Sequence, residues 1–285
     1  MSKFKKFFSP NIILRKLGYK IIKDEEFLSK EFRRLTNDNN INKIRFKIIA
    51  EKLKRDFSGS LNLRINTDNI VSIINQFDRI FRKFPFKNLE GGFGYNNALM
   101  LFVFIKILKP SRIIESGVFK GFTTYIIENA ADEQTEIICI EPNDDRIKYQ
   151  TNKAKYYRQD ISEIRLSEKE NTLVFFDDHV PHKNRLNLIK EKNFKYIIFD
   201  DDVNLSNFYH DGDPPIPTIN MIRNDDPGYK TINWIYDNKK KTKNYEINEK
   251  DKSIFLDYDY LKFPELFEFT GYRSSSFSSI IIKKN

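Results

Sequence analysis

Two short runs hold most of the residues in this chain that could do chemistry. Phe175-Phe-Asp-Asp-His-Val-Pro-His182 sets two carboxylates beside two imidazoles, and Ile198-Phe-Asp-Asp-Asp202 follows with three more carboxylates. The chain has only three histidines, and the third, His210, lies in Phe208-Tyr-His-Asp-Gly-Asp213. A histidine beside two carboxylates is placed to move protons, which marks His179 as functional. His182 and His210 are open to either a functional or a structural reading. A third run, Ile113-Ile-Glu-Ser-Gly-Val-Phe-Lys-Gly-Phe-Thr-Thr124, has the form of a strand that turns sharply into a helix. Gly117 and Gly121 lack Cβ, so they permit the tight turn and a close approach of backbone to a ligand. Glu115 at the strand end can accept a hydrogen bond from a cationic amino group, and Thr123 or Thr124 can help cap the helix.

These residues need elements to hold them. From Ser111 onward, apolar strands alternate with helices. The strands are Arg112–Glu115, Glu136–Glu141, Lys155–Arg158, Thr172–Asp177 and Lys195–Asp200, and the helices are Thr123–Asn129, Asp144–Lys155 and Lys183–Lys192. Late strands are expected at Thr231–Tyr236 and Ser276–Ile282. Such alternation predicts βαβ units and a doubly wound, mostly parallel α/β sheet covered on both faces. Ligands of open parallel sheets bind at the carboxyl ends of the strands. Asp177, Asp178, His179 and Asp200–Asp202 should therefore face one crevice. Upstream, Ile70, Ile73, Ile74, Phe77, Ile80, Phe81 and Phe84 recur at helical spacing before Pro85, as do Ile41, Ile44, Ile48, Ile49, Leu53 and Phe57. Gly91-Gly-Phe-Gly94 marks a break, and Asn96–Lys109 reads as a largely buried helix ended by Pro110. The expected organisation is a basic helical region over 1–90 and a catalytic α/β domain over 91–285.

Glu141, closing the second strand, can bind both hydroxyls of a ribose. Asp160, after the third, can reach an adenine amino group. The glycine turn lacks GxGxxG and the Lys-Ser/Thr ending of a phosphate-binding loop, which counts against dinucleotides and triphosphates. The pattern Glu-x-Gly-x-x-x-Gly at 115–121 resembles the first motif of class I S-adenosylmethionine (SAM)-dependent methyltransferases. That resemblance implies that Glu115 and the Gly117–Gly121 loop meet the methionine part of SAM and that Glu141 holds its ribose.

The segments IIESGVFKGFTT and VFFDDHVPHKNRL resemble, more narrowly, the cephalosporin hydroxylase and macrocin O-methyltransferase type of enzyme. The likeness covers about residues 94–205. It implies a divalent metal held by Asp177 or Asp178 and by Asp200 and Asp201, with His179 at the position of the base and Asp178 beside it in the catalytic group. The usual Asp-Gly-Asp is Asp-Asp-His here, so the register of these roles is open by one residue. The chemistry is consistent, because a sugar hydroxyl does not ionise at neutral pH, while a carboxylate-held Mg²⁺-type ion lowers its pKa and a base takes the proton. Clustered carboxylates without such a partner repel one another. Hard carboxylates favour Mg²⁺ or Ca²⁺, and a coordinating histidine shifts the preference toward Mn²⁺, Fe²⁺ or Zn²⁺.

Composition bounds the alternatives. Of the net charge of +9, residues 1–90 contribute 21 Lys+Arg against 10 Asp+Glu, and the remainder is slightly acidic. A nucleic-acid channel at the crevice is therefore disfavoured, although a nucleic-acid methyltransferase using the basic region is the second reading. A non-catalytic module that keeps the fold is the third. The acceptor expected is a sugar, glycan or small hydroxylated metabolite. Asp213-Pro-Pro-Ile216 resembles the motif of amino-group methyltransferases but sits after the wrong strand, and reads as a stiff loop. Residues 1–20 carry six basic and no acidic side chains interleaved with Phe4, Phe7, Phe8, Ile12, Ile13 and Leu14. They could touch an anionic membrane or pack on the domain. The one cysteine, Cys139, lies in an apolar run and reads as core. No secretory signal is evident, so a cytoplasmic setting is expected.

Overall fold

The computed structural model describes residues 39–61, 66–85, 93–167, 170–204, 214–236, 239–272 and 278–284. The membrane reading of residues 1–20, His210, Asp213 and the glycines at 91 and 92 lie outside them. Nine strands occur among the described residues: β1 Arg112–Ser116, β2 Glu136–Ile140, β3 Ala154–Tyr157, β4 Thr172–Phe176, β5 Tyr196–Phe199, β6 Gly228–Tyr236, β7 Lys239–Ile247, β8 Tyr258–Lys262 and β9 Ser279–Lys283. Seven form one sheet in the order β3-β2-β1-β4-β5-β9-β8. The pairs from β3 through β5 are parallel, and β9 runs antiparallel between β5 and β8. The chain reverses direction in strand order between β1 and β4, the place where such a sheet opens a crevice. This is a mostly parallel, Rossmann-like order.

The strands are apolar on both faces because both faces are covered. Ile113, Ile137, Cys139, Leu173, Phe175 and Ile198 face one core. It is shared with α1 (Asn39–Leu61), α2 (Thr67–Arg82), α3 (Tyr95–Leu108) and α4 (Phe122–Ala130). Ile114, Ile138, Val174, Phe176, Ile197 and Phe199 face the other, with α5 (His182–Lys192), α6 (Ile219–Asn224) and the base of the β6–β7 ribbon. In α2 the spacing of Ile70, Ile73, Ile74 and Phe77 makes one buried stripe, and Asn66 caps the helix by accepting from the Asp68 amide. Helix α3 is buried around nearly its whole surface and ends at Lys109, whose left-handed φ of 44° precedes Pro110. Cys139 is buried and free. No helix among the described residues is long and apolar enough to cross a membrane.

Two elements differ from the sequence reading. The helix expected at Asp144–Lys155 is one 3-10 turn, Asp144–Arg146, followed by irregular chain. Its amides serve another element, for Lys148 and Tyr149 both donate to the Lys120 carbonyl in the glycine turn. The strand expected at Thr231–Tyr236 is present as part of β6, but its partner in a separate two-stranded sheet, the lysine-rich β7, is not among the expected elements. Lys239–Lys241 hid that partner from a hydropathy reading.

Candidate active site

Strand β1 ends on the buried Glu115 and Ser116, then turns through Gly117 (φ 96°), Phe119 (φ 50°) and Gly121 (φ 86°) into α4. The glycines make room for the chain itself. A Cβ on Gly117 would sit 2.1 Å from the Asp177 carbonyl oxygen, and one on Gly121 would sit 2.2 Å from that of Tyr149. Gly121 is also the N-cap residue, so Thr123 and Thr124 do not cap α4 as the sequence suggested. Both threonines are buried, and the Thr124 hydroxyl donates to Glu115 Oε2 at 2.6 Å.

Glu115 is fully buried. Its Oε2 also accepts from the Cys139 thiol at 3.3 Å, while Oε1 has no hydrogen-bond partner. Burial pushes its pKa up to about 8 against the pull of the Thr124 bond, so the carboxyl is mostly protonated at neutral pH. Glu141 stands just past β2 and accepts from the Val118 amide at 3.1 Å and the Phe119 amide at 2.8 Å through Oε2. Its Oε1 accepts from the Asn143 amide at 3.0 Å. The acid thus anchors the glycine turn at the spot expected for a ribose acceptor.

The acids after β4 and β5 divide into two groups. Asp178 points to one side. Its Oδ2 accepts from Arg185 Nη2 and from Ser116 Oγ, both at 2.6 Å, and Oδ1 accepts from the Val180 amide at 3.1 Å. Arg185 binds Asp160 as well, Nη1 to Oδ1 at 2.9 Å and Nη2 to Oδ2 at 2.8 Å. These bonds, with those from Ser162, hold the Asp160 carboxyl far below the usual range. Asp200 is buried and accepts from the Ser278 hydroxyl at 2.6 Å. Asp178 and Asp200, expected among the metal ligands, and Asp178 also in the catalytic group, are therefore committed to an ion pair and a buried hydrogen bond.

The other group is Asp177, His179 and Asp201, one ligand atom of each lying within 4.8 Å of the others. His179 Nδ1 is 3.7 Å from Asp201 Oδ2, and the His179 side chain is 52% exposed. Burial, then repulsion from Asp200, Asp201 and Glu115, drives the Asp177 pKa well up. His179 and Asp201 both hold left-handed backbone, φ 56° and 51°. Residues other than glycine accept that conformation at some cost in strain, and such strain clusters at functional sites. Of the four acids expected to hold a metal, Asp177 and Asp201 lie in this group, and His179, expected as the base, stands with them where Asp178 and Asp200 do not.

His182 has a different role. Its Nδ1 accepts from the Ile219 amide at 3.0 Å and its Nε2 donates to the Asp200 carbonyl at 3.1 Å. Burial lowers its pKa to about 3, so it is a neutral brace joining β5 to α6. Arg185, which joins Asp160 to Asp178, reads in the sequence only as a basic residue within a helix.

No protein-family model and no curated protein matches this chain. Solved structures do. The O-methyltransferase TomG from Streptomyces achromogenes, in complex with SAM, is 12% identical, with a TM-score of 0.41 over 74% of this chain and 90% of that one. The Podospora anserina methyltransferase PaMTH1, bound to S-adenosylhomocysteine (SAH), is 14% identical, with a TM-score of 0.41 over 75% and 88%. CmcI in a form with Mg and SAM is 16% identical, with a TM-score of 0.33 over 44% of this chain and 64% of that one.

Proposed function

We propose that this chain is a SAM-dependent O-methyltransferase, assisted by a divalent cation, acting on a hydroxyl of a sugar, glycan or small metabolite. The observation that carries the reading is the pairing of two features at one crevice. The glycine turn and its two acids lie at the ends of β1 and β2, and the Asp177–His179–Asp201 group lies at the ends of β4 and β5. The donor set fits the cofactor. Glu115 Oε1 is a buried acceptor lacking a donor, which an ammonium group would supply, and Glu141, which holds the glycine turn, would accept from the ribose hydroxyls. When bound, SAM supplies an electrophilic methyl group on a sulfonium. The clustered carboxylates of Asp177 and Asp201 fit a hard divalent cation, which supplies a lowered pKa to a neighbouring hydroxyl. The half-exposed His179 imidazole beside Asp201 would take the proton of the acceptor hydroxyl.

Calorimetric titration with SAH, with and without Mg²⁺ or Mn²⁺, tests this reading. The wild-type protein binds SAH, and Glu141→Ala weakens binding by about 1–3 kcal/mol. A wild-type chain that binds no SAH overturns the proposal.

A second reading of His179 has its own support, since its ring nitrogen belongs to the three-donor group. In that case it is a cation ligand, and a ligated imidazole cannot also be the base. His179→Ala separates the two. As a base, its loss lowers turnover about 10²–10⁴-fold and leaves Mn²⁺ affinity intact. As a ligand, its loss weakens Mn²⁺ binding directly.

A further inference from the structure

Arg185 takes no part in the mechanism above, although the inference drawn from it rests on that reading of the site. Its side chain is 6% exposed, in the first turns of α5, with the guanidinium 5.3 Å over the Phe176 ring. The guanidinium bonds Asp160, just after β3, and Asp178, just after β4. In the sheet order, β2 and β1 lie between those strands. The bridge therefore spans the two strand ends that carry Glu141 and the glycine turn. Ser116, the last residue of β1, donates to the same Asp178 oxygen.

A buried bridge alone would be a brace, but this one sets two carboxylates on the two N–H bonds of one delocalised cation, so what happens at one carboxylate is felt at the other. Nη2 divides its donation between Asp160 Oδ2 at 2.8 Å and Asp178 Oδ2 at 2.6 Å. Asp160 Oδ1 is filled by the Ser162 amide, the Ser162 hydroxyl and Nη1, whereas Oδ2 accepts from Nη2 alone. The Asp160 side chain is 36% exposed, so a donor from a ligand can reach Oδ2. Such a donor draws negative charge from Oδ2, weakens its hold on Nη2 and leaves the guanidinium bound more tightly to Asp178. Asp178 sits between Asp177 and His179 in the chain, and its Oδ1 holds the Val180 amide. Its position therefore sets theirs.

We propose that Arg185 is a positioning residue that couples the two halves of the site. An exocyclic amino group of the nucleobase type, donating at Asp160, tightens the Arg185–Asp178 bond and orders the loop that carries Asp177 and His179 for the cation. Linkage requires the reciprocal effect, in which the cation tightens cofactor binding by the same factor. The test is SAH titration with and without saturating Mn²⁺, on wild type and Arg185→Lys. Lysine keeps the charge but cannot fork between two carboxylates. In wild type, Mn²⁺ strengthens SAH binding roughly fivefold or more. In Arg185→Lys the gain falls below about twofold, while each ligand alone binds within a few-fold of wild type. Equal coupling in both proteins, or none in wild type, overturns the inference. A second readout does not depend on that variant's folding. SAH without metal slows hydrogen exchange of the Val180 amide in wild type and does so far less in Asp160→Asn. No slowing in wild type, or equal slowing in both, also overturns it. A wild-type chain that binds neither SAH nor Mn²⁺ removes the functional reading along with it, whereas one that binds both without coupling removes this inference alone.

Discussion

At the scale of single residues, the site is built from carboxyl groups whose surroundings give them different work. Glu115 lies on β1 and Glu141 just past the adjacent β2, yet one is buried in the core and the other fixes a loop by its amides. The Glu115 carboxyl is raised to about 8, so it enters the binding reaction protonated at neutral pH. An ammonium group at Oε1 favours the ionised form, and binding should expel that proton. Titration of SAH near pH 6.5–7 in buffers of differing ionisation enthalpy should show release of about one proton, declining toward zero well above pH 8. Glu115→Gln removes the release. Binding of SAH with no buffer dependence at neutral pH would mean that the ammonium is held elsewhere.

At the scale of elements, the question is how far the N-terminal helices belong to the α/β body. Helix α2 sends Phe77 against Tyr95 and Phe102 of α3, with ring centroids 5.1 and 5.6 Å away. Phe57 of α1 meets Phe104 of α3 edge-on at 4.9 Å. These helices therefore share the apolar layer that supports β1 and the glycine turn. Phe77→Ala should cost about 3–5 kcal/mol of stability, seen as one cooperative unfolding transition at lower denaturant. Separate transitions for an N-terminal unit and an intact α/β unit would show that the two fold independently. The β6–β7 ribbon is different. Its base is tied down by Ile232, Tyr245 and Ile247, with the Tyr245 hydroxyl donating to Asp225 at 2.8 Å, while Ile235 toward its tip is 75% exposed.

At the scale of the whole molecule, several buried titratable groups bind protons differently in the folded and unfolded states, so stability depends on pH. His182 has a folded-state pKa of about 3, below the 6.5 of a free imidazole. Between those values the unfolded chain binds more protons, so this group's contribution is complete above pH 6.5 and is lost as pH falls toward 3. Its slope cannot exceed about 1.4 kcal/mol per pH unit. Asp202, raised by burial to about 6, acts with the opposite sign between 3.8 and 6. The informative quantity is therefore the difference between wild type and His182→Gln in unfolding free energy from pH 7 to pH 4. The variant should lose less stability on acidification than wild type does. Equal losses would show that His182 titrates normally in the folded protein.

The sequence by itself determined the parallel sheet, the glycine turn, the acids at its strand ends and the buried character of Cys139. These features are local, because strand and helix periodicity, missing Cβ atoms and hydropathy are written in consecutive residues. Tertiary structure alone decided what each acid does. Asp177 and Asp178 are neighbours in sequence, but alternation sends one toward His179 and Asp201 and the other toward Arg185. No local pattern announces that Arg185 reaches both Asp178 and Asp160, since the contact exists only once β3, β4 and α5 are packed. The same holds for Gly117, whose need for a missing side chain comes from the Asp177 carbonyl sixty residues on. The segment after Asp144 failed to form its expected helix for a related reason. Its amides are drawn to the Lys120 carbonyl, a partner that only the folded chain brings within reach.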